Sequence, residues 1–147
     1  MPDETRVFSN RERDYLASHK LGRLATIHAD GSPRVVPVGY WLNDDGTMDI
    51  GGPRMGDSQK FRNIQRDPRV TLVIDDTTPD TDTEFTPGLG RGIQIRGRAE
   101  ALTGHRLPSA PAFFSSEIIR IHPEHALSWH VDPERPGLQA LRDHLAS

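Results

Sequence analysis

The chain has 147 residues, no cysteine and a net charge of −3 spread over 18 Lys or Arg and 21 Asp or Glu. One domain fits this length, and the lack of cysteine excludes disulfide scaffolds, thiolate nucleophiles, redox dithiols and Cys-rich zinc sites. A mixed charge with no broad positive field argues against a nucleic-acid partner.

Apolar residues make up 34% of the chain, while Gly (13) and Pro (12) are plentiful, so many turns and short elements are expected rather than long helices. The N-terminus, "MPDETRVFSNRERD", lacks the apolar core of a signal peptide, and no later stretch approaches a membrane span. These features predict a soluble, cytoplasmic protein with no membrane partner, whose redox chemistry, if it has any, comes from a bound cofactor.

In chain order, "SNRERDYLAS" carries a capping box in which Ser9 and Glu12 satisfy each other's backbone, followed by Tyr15 and Leu16 as an apolar face. A short helix is predicted there. "LGRLATIH", the turn "ADGSP" and "RVVPVGYWL" read as a hairpin. Pro37 cannot donate to a ladder, so its strand is either an edge or interrupted at that point. "NDDG" turns into a third strand, "TMDIGG", and "DSQKFRNIQRD" shows Phe61 and Ile64 at helical spacing, capped by Ser58 or Asp57, before Asp67-Pro68 stops it.

"RVTLVID" and "GIQIRGRAEAL" follow as strands, and "SEIIRIHP" and "HALSWHV" complete the set. Six or seven strands joined mostly by tight turns favour an antiparallel barrel over a βαβ arrangement. The acidic run from Asp75 to Glu84 contains no cation and lacks the spacing of a calcium loop, so it reads as a mobile, solvated loop. The tail "DPERPGLQALRDHLAS" is expected to form a final helical turn or two.

Positive charge gathers in one place. Between Arg54 and Arg69 stand Arg54, Lys60, Arg62, Arg66 and Arg69 against only Asp57 and Asp67. Gly51 and Gly52 end a strand, and the helix begins within this stretch, with Ser58, Lys60, Arg54 and Arg62 supplying donors and charge. Free backbone N–H groups and the dipole make a helix start favourable for phosphate. Cations placed there oppose the dipole by about 0.3–1 kcal/mol each unless an anion binds. That penalty suits a ligand site. Neither a Walker loop nor a G-x-G-x-x-G pattern is present.

The histidines of "HPEHALSWH" lack the helical spacing of a zinc motif and read as half-exposed strand residues, and no nucleophile elbow is present. Trp41 and Trp129 read as core or dimer-interface residues, with cofactor stacking as the alternative.

The segments "LGRLATIHADGSPRVVPVGYWL", "TMDIGG", "SQKFRNIQRDPRVTLVIDD", "RGIQIRGRAEAL" and "EIIRIHPEHALSWHVD", from about Phe8 to Asp132, together resemble the pyridoxamine-phosphate-oxidase-like flavin and deazaflavin oxidoreductases, in particular the actinobacterial subgroup assigned to coenzyme F420. The resemblance implies a mainly β split barrel with short α-helices, occupying residues 1–147 as a single domain with its core at 8–132 and a tail at 133–147. It implies a homodimer with a cofactor in each of two grooves at the subunit interface. By the same resemblance, Lys60 binds the cofactor phosphate with Ser58, Gln59 and Asn63 beside it, and Arg54 and Arg62 add charge. Val36, Pro37, Val38 and Gly39 lie along the tricyclic ring, and Trp129 approaches the partner's cofactor.

Similar proteins carry Gly after the Ser-Trp pair, where this chain has His130, and a smaller residue in place of Trp41; both positions bear on pocket size. The activity implied is hydride transfer from reduced coenzyme F420 to an electron-poor acceptor such as a conjugated enone, imine or quinone, with no catalytic side chain required. Flavin mononucleotide would use the same phosphate site, and a non-enzymatic flavin or haem carrier is the remaining alternative.

Overall fold

A computed structural model describes residues 7–135. Helix α1, Asn10–Ala17, opens on the predicted capping box: the Ser9 side chain accepts from the Glu12 N–H at 3.2 Å, and the Glu12 carboxylate accepts from the Ser9 N–H at 2.8 Å. Tyr15 and Leu16 turn inward. Strands β1 (Leu21–Ile27), β2 (Pro33–Leu42) and β3 (Met48–Ile50) follow, joined by turns that place Gly31 and Gly46 at positive φ. A single 3-10 turn at Met55–Asp57 leads into helix α2, Gln59–Arg66, and then come β4 (Arg69–Thr77), β5 (Gly90–Leu102) and β6 (Ile118–Trp129).

All six strands pair antiparallel and close into a barrel in the order β1-β2-β3-β6-β5-β4. Alternation along β4 and β5 sends Leu72, Ile74, Ile93 and Ile95 inside, where they meet Leu24, Ile50, Ile119 and Ile121. Each such side chain contributes about 1.5–3 kcal/mol when fully removed from water. Helix α2 packs on β1 and β5 and adds Phe61 and Ile64 to this core. No helix among the described residues is long and apolar enough to cross a membrane.

Of the six or seven strands expected, six form, and one expectation is corrected. "SEIIRIHP" and "HALSWHV" form one strand, because a bulge absorbs Pro123: Arg96 opposes His125 while Gly97 opposes Pro123, leaving Glu124 unmatched. Gly97 makes this close approach possible, since a side chain there would overlap the His122 backbone.

The correction concerns the acidic run, which is not a free loop. Asp75 and Asp76 belong to β4, and their cations come from distant elements: Arg23 reaches Asp75 at 2.8 Å, Arg91 reaches Asp76 at 2.7 Å, and Arg11 pairs with Glu84. Asp82 accepts from the N–H groups of Glu84 and Phe85. The helical turns expected in the tail lie outside the described residues.

Candidate functional site

The start of α2 is built from several fixed pieces. Ser58, rather than Asp57, is the cap: its Oγ accepts from the Phe61 N–H at 3.3 Å and donates to the Met55 carbonyl at 2.6 Å. The loop before it is tied to the segment leading into β6, since the Met55 N–H donates to Ser115 Oγ at 2.9 Å and that hydroxyl donates to the Gly52 carbonyl at 3.1 Å. Arg54 sits in the left-handed region at φ 53, exposed, with its guanidinium 3.2 Å from Asp57.

Charge pairing decides what this site can do. Asp57 is occupied by Arg54 and Asp67 by Arg69, which leaves Lys60, Arg62 and Arg66 without a carboxylate among the described residues. Arg62 donates to the Asp57 carbonyl at 2.7 Å and to Gln59 Oε1 at 3.2 Å, and Arg66 donates to the Ile27 carbonyl at 2.9 Å. Lys60 has neither a hydrogen bond nor an ion pair to any described residue, yet it is half-buried. Burial pushes its ammonium below the ordinary lysine value. A partly desolvated cation at a helix start, with no partner among the described residues, favours an anion beside it.

Ser58, Gln59, Lys60 and Arg62 therefore share one helix start. Asn63 has a different setting: it is fully buried, donating to Thr26 Oγ1 at 3.0 Å and accepting from Gln59 Nε2 at 2.8 Å. In this arrangement it braces α2 against β1 and holds Gln59.

Strand β2 pairs with β1 across residues 33–39 and with β3 only from Tyr40 onward, so its other flank is open over 33–39. The Tyr40 N–H bonds to the Lys20 carbonyl, and by alternation the N–H positions of residues 33, 35, 37 and 39 point away from β1. Pro33 and Pro37 thus forfeit no bond to β1, which explains how a strand tolerates both. Val36 and Pro37 are exposed, Gly39 is half-buried, and the Val38 side chain points into the core.

Trp129 ends β6 opposite Gly92, its indole resting where a Gly92 side chain would be. His130, at φ 54, occupies a left-handed position of the kind that favours glycine. Its Nδ1 lies 2.8 Å from the Gly90 carbonyl oxygen, and its ring packs on Phe85.

A cleft of about 800 Å³ lies between α1, the start of β1, the end of β2 and the long β5–β6 connection. Gly39 and Trp41 line it, together with Phe114, whose ring meets Trp41 edge-on at 6.1 Å. Lys60 is not among its lining residues. Beside it sits a cluster that sequence reasoning missed: Asp76 accepts from Tyr15 Oη at 2.6 Å and from Arg91 Nε at 2.7 Å, and lies 3.0 Å from His19 Nε2. Burial alone would raise the Asp76 carboxyl, but the hydrogen bonds from Arg91, Tyr15 and His19 outweigh it and hold the group well below the ordinary carboxylate range. No local signal in the sequence joins Tyr15 to Asp76; the barrel does.

Comparison with known proteins agrees with this architecture. The chain matches the family described as pyridoxamine 5'-phosphate oxidase over residues 8–141. It is 39% identical over 127 residues, 85% of this chain and 84% of the relative, to the 5a,11a-dehydrotetracycline/5a,11a-dehydrooxytetracycline reductase of Streptomyces rimosus. Among solved structures it is similar to a conserved hypothetical protein of Mycobacterium tuberculosis, at 27% identity over 88% of this chain and 89% of that one, with a TM-score of 0.63. A structure described as an F420 reductase shares the fold at 19% identity over 81% of this chain and 98% of that one, with a TM-score of 0.59. The chain belongs to the pyridoxamine 5'-phosphate oxidase-like split-barrel family of oxidoreductases.

Proposed function

We propose that this chain is a cytoplasmic reductase that uses reduced coenzyme F420, a deazaflavin, to deliver hydride to an electron-poor organic acceptor. It works as a homodimer with a cofactor at each subunit boundary. The half-buried, unpartnered Lys60 at the start of α2 carries this reading, because a phosphate-bearing cofactor supplies the charge that the site lacks.

The residues present fit the group. Lys60 and Arg62 would hold its phosphate with Ser58 and Gln59 at the same helix start, Arg54 would add a solvent-side cation, and Asn63 would keep Gln59 in place. Val36, Pro37 and Gly39, with the backbone of Val38, offer a firm strand surface for a flat ring, and Trp129 closes the far end of β6. When bound, the deazaflavin supplies a hydride at ring carbon 5 and disfavours one-electron and oxygen chemistry. The protein's part is to grip the phosphate, orient the ring and keep water out.

The acceptor class draws support from the Streptomyces relative, whose name specifies reduction of a dehydro compound, that is, of a carbon–carbon double bond. A conjugated enone is accordingly the favoured acceptor. The dimer draws support from the open flank of β2 and its surroundings, where Val35 is 63% exposed and Leu21 65%.

Titration of apo protein with coenzyme F420 and with flavin mononucleotide, followed by tryptophan fluorescence, tests the proposal. Tighter binding of the deazaflavin, with turnover of an enone, supports it. Preference for the mononucleotide would make the chain a flavin enzyme of the same fold, and tight binding without turnover would make it a carrier. Lys60→Ala should weaken cofactor binding by about 1.5–3 kcal/mol, the usual worth of a charge-assisted hydrogen bond.

A further inference from the structure

We infer that the 800 Å³ cleft beside Trp41 is the acceptor pocket, and that it is shaped for a planar, fused-ring molecule with one polar edge. This rests on the reductase reading and extends it to the class of substrate. Its size falls in the range of about 300–1,000 Å³ typical of small-molecule sites.

Shape comes from two aromatic rings set at 85° to one another with centroids 6.1 Å apart, Trp41 from β2 and Phe114 from the β5–β6 connection. Packed edge to face, the two rings form one continuous aromatic wall of the cleft, against which a flat guest can stack. Phe114 is fixed on both sides: its own N–H donates to the Pro111 carbonyl at 3.0 Å, and the next residue, Ser115, is bonded to Gly52 and Met55. Gly39 adds no side chain to the lining beside Trp41, where a Cβ would find its nearest neighbours, Lys20 O and the Trp41 ring, at 3.8 and 4.0 Å.

The polar lining comes mainly from α1, the residues after it and the β2–β3 turn, and carries both signs: Arg13, His19 and Lys20 with Asp14 and Asp44. His19 is clamped between Asp76 at 3.0 Å and the Tyr15 carbonyl at 2.8 Å, Arg13 donates to the Asp44 carbonyl at 3.1 Å, and the Lys20 ammonium has no partner among the described residues. Fused rings against Trp41 and Phe114, with the oxygen-bearing edge toward Arg13, His19 and Lys20, is the orientation this lining accepts. Gly39, assigned above to the cofactor ring, also lines this cleft, so guest and cofactor would meet along β2.

The test is calorimetric titration of apo protein with anthraquinone-2-sulfonate, three fused rings with an anionic edge, against benzenesulfonate, which keeps the anion and only one ring. One molar equivalent of the anthraquinone should bind, with benzenesulfonate at least about tenfold weaker, the scale of aromatic stacking. Trp41→Ala and Phe114→Leu should each weaken the anthraquinone by about tenfold, Trp41→Phe by far less, with coenzyme affinity and thermal midpoint held. Equal binding of the two probes, or anthraquinone affinity indifferent to both aromatic substitutions, would overturn the inference, including the case in which the second subunit fills the cleft. Should the wild type bind the anthraquinone as stated but neither coenzyme, the reductase reading fails and the pocket stands.

Discussion

Arg120 and Asp49 face each other across the β3–β6 ladder and join through two hydrogen bonds, Nε to Oδ1 at 2.8 Å and Nη2 to Oδ2 at 2.9 Å. The Asp49 side chain is only 4% exposed, whereas the Arg120 side chain keeps 30%. Removing the arginine strands a buried carboxylate. Arg120→Ala should lower stability by about 3 kcal/mol in denaturant unfolding, near the lower end for a broken buried pair because the arginine is partly solvated. The double variant Asp49→Asn/Arg120→Gln should recover much of the loss, since no charge is then left inside.

Gly92 sets the seat of Trp129. A Cβ at Gly92 would stand 2.6 Å from the Ile74 carbonyl oxygen and 2.8 Å from the Trp129 ring. Gly92→Ala should cost about 1–3 kcal/mol and shift Trp129 emission, because backbone and indole must both yield. Unchanged emission would show that the ring is not packed there.

His130 tests backbone strain. At φ 54, glycine relieves the conformation while a β-branched residue worsens it. His130→Gly should leave stability within about 1 kcal/mol of wild type, the relief offsetting the lost Gly90 and Phe85 contacts, whereas His130→Val should be at least about 2 kcal/mol less stable than the glycine variant.

Asp76 predicts an acid transition. Its folded-state carboxyl titrates below its unfolded value, so the stability it contributes is complete above the unfolded pKa, near 4, and drains away as pH falls toward the folded one. The stability difference between wild type and Asp76→Asn should therefore be flat from neutral pH down to about 5 and shrink below about 4. A difference that persists undiminished at pH 2 would contradict the hydrogen-bonded carboxylate described above.

Lys60 predicts two effects of opposite sign. Lys60→Met should raise the melting midpoint of apo protein by relieving an unpaired, desolvated charge, while weakening coenzyme binding by about 10- to 100-fold. In wild type the ammonium gives up its proton below the ordinary 10.5, so coenzyme affinity should decline as alkaline pH is approached sooner than an exposed lysine would dictate. Lys60→Arg should keep affinity flat over the same range, because guanidinium does not titrate there.

How much of this was legible beforehand follows the range of the interactions. Ser9 with Glu12 and Ser58 with Phe61 lie three residues apart; residue type alone identified the first cap and narrowed the second to Ser58 or Asp57. The excess charge around Lys60 was countable, and pairing did not change it, because Arg54 and Arg69 took the only two carboxylates of the stretch.

What could not be read depends on register across the barrel. Asp76 opposes Arg91 over a connection whose length hides the pairing, and Asp49 meets Arg120 only because β3 lies against β6. Pro123 looked like a strand end because the bulge that accommodates it is a property of two strands, not one. The burial of Asn63 against Thr26 was equally hidden, because it follows from the way α2 docks on β1.

The two prolines on the open flank of β2 have a consequence for assembly. Of the four outward positions 33, 35, 37 and 39, the two prolines offer no donor, so an incoming strand meets only half the donors of an ordinary edge and sheet extension from molecule to molecule is disfavoured. The margin thus guards itself against open-ended growth while leaving apolar surface such as Val35 uncovered.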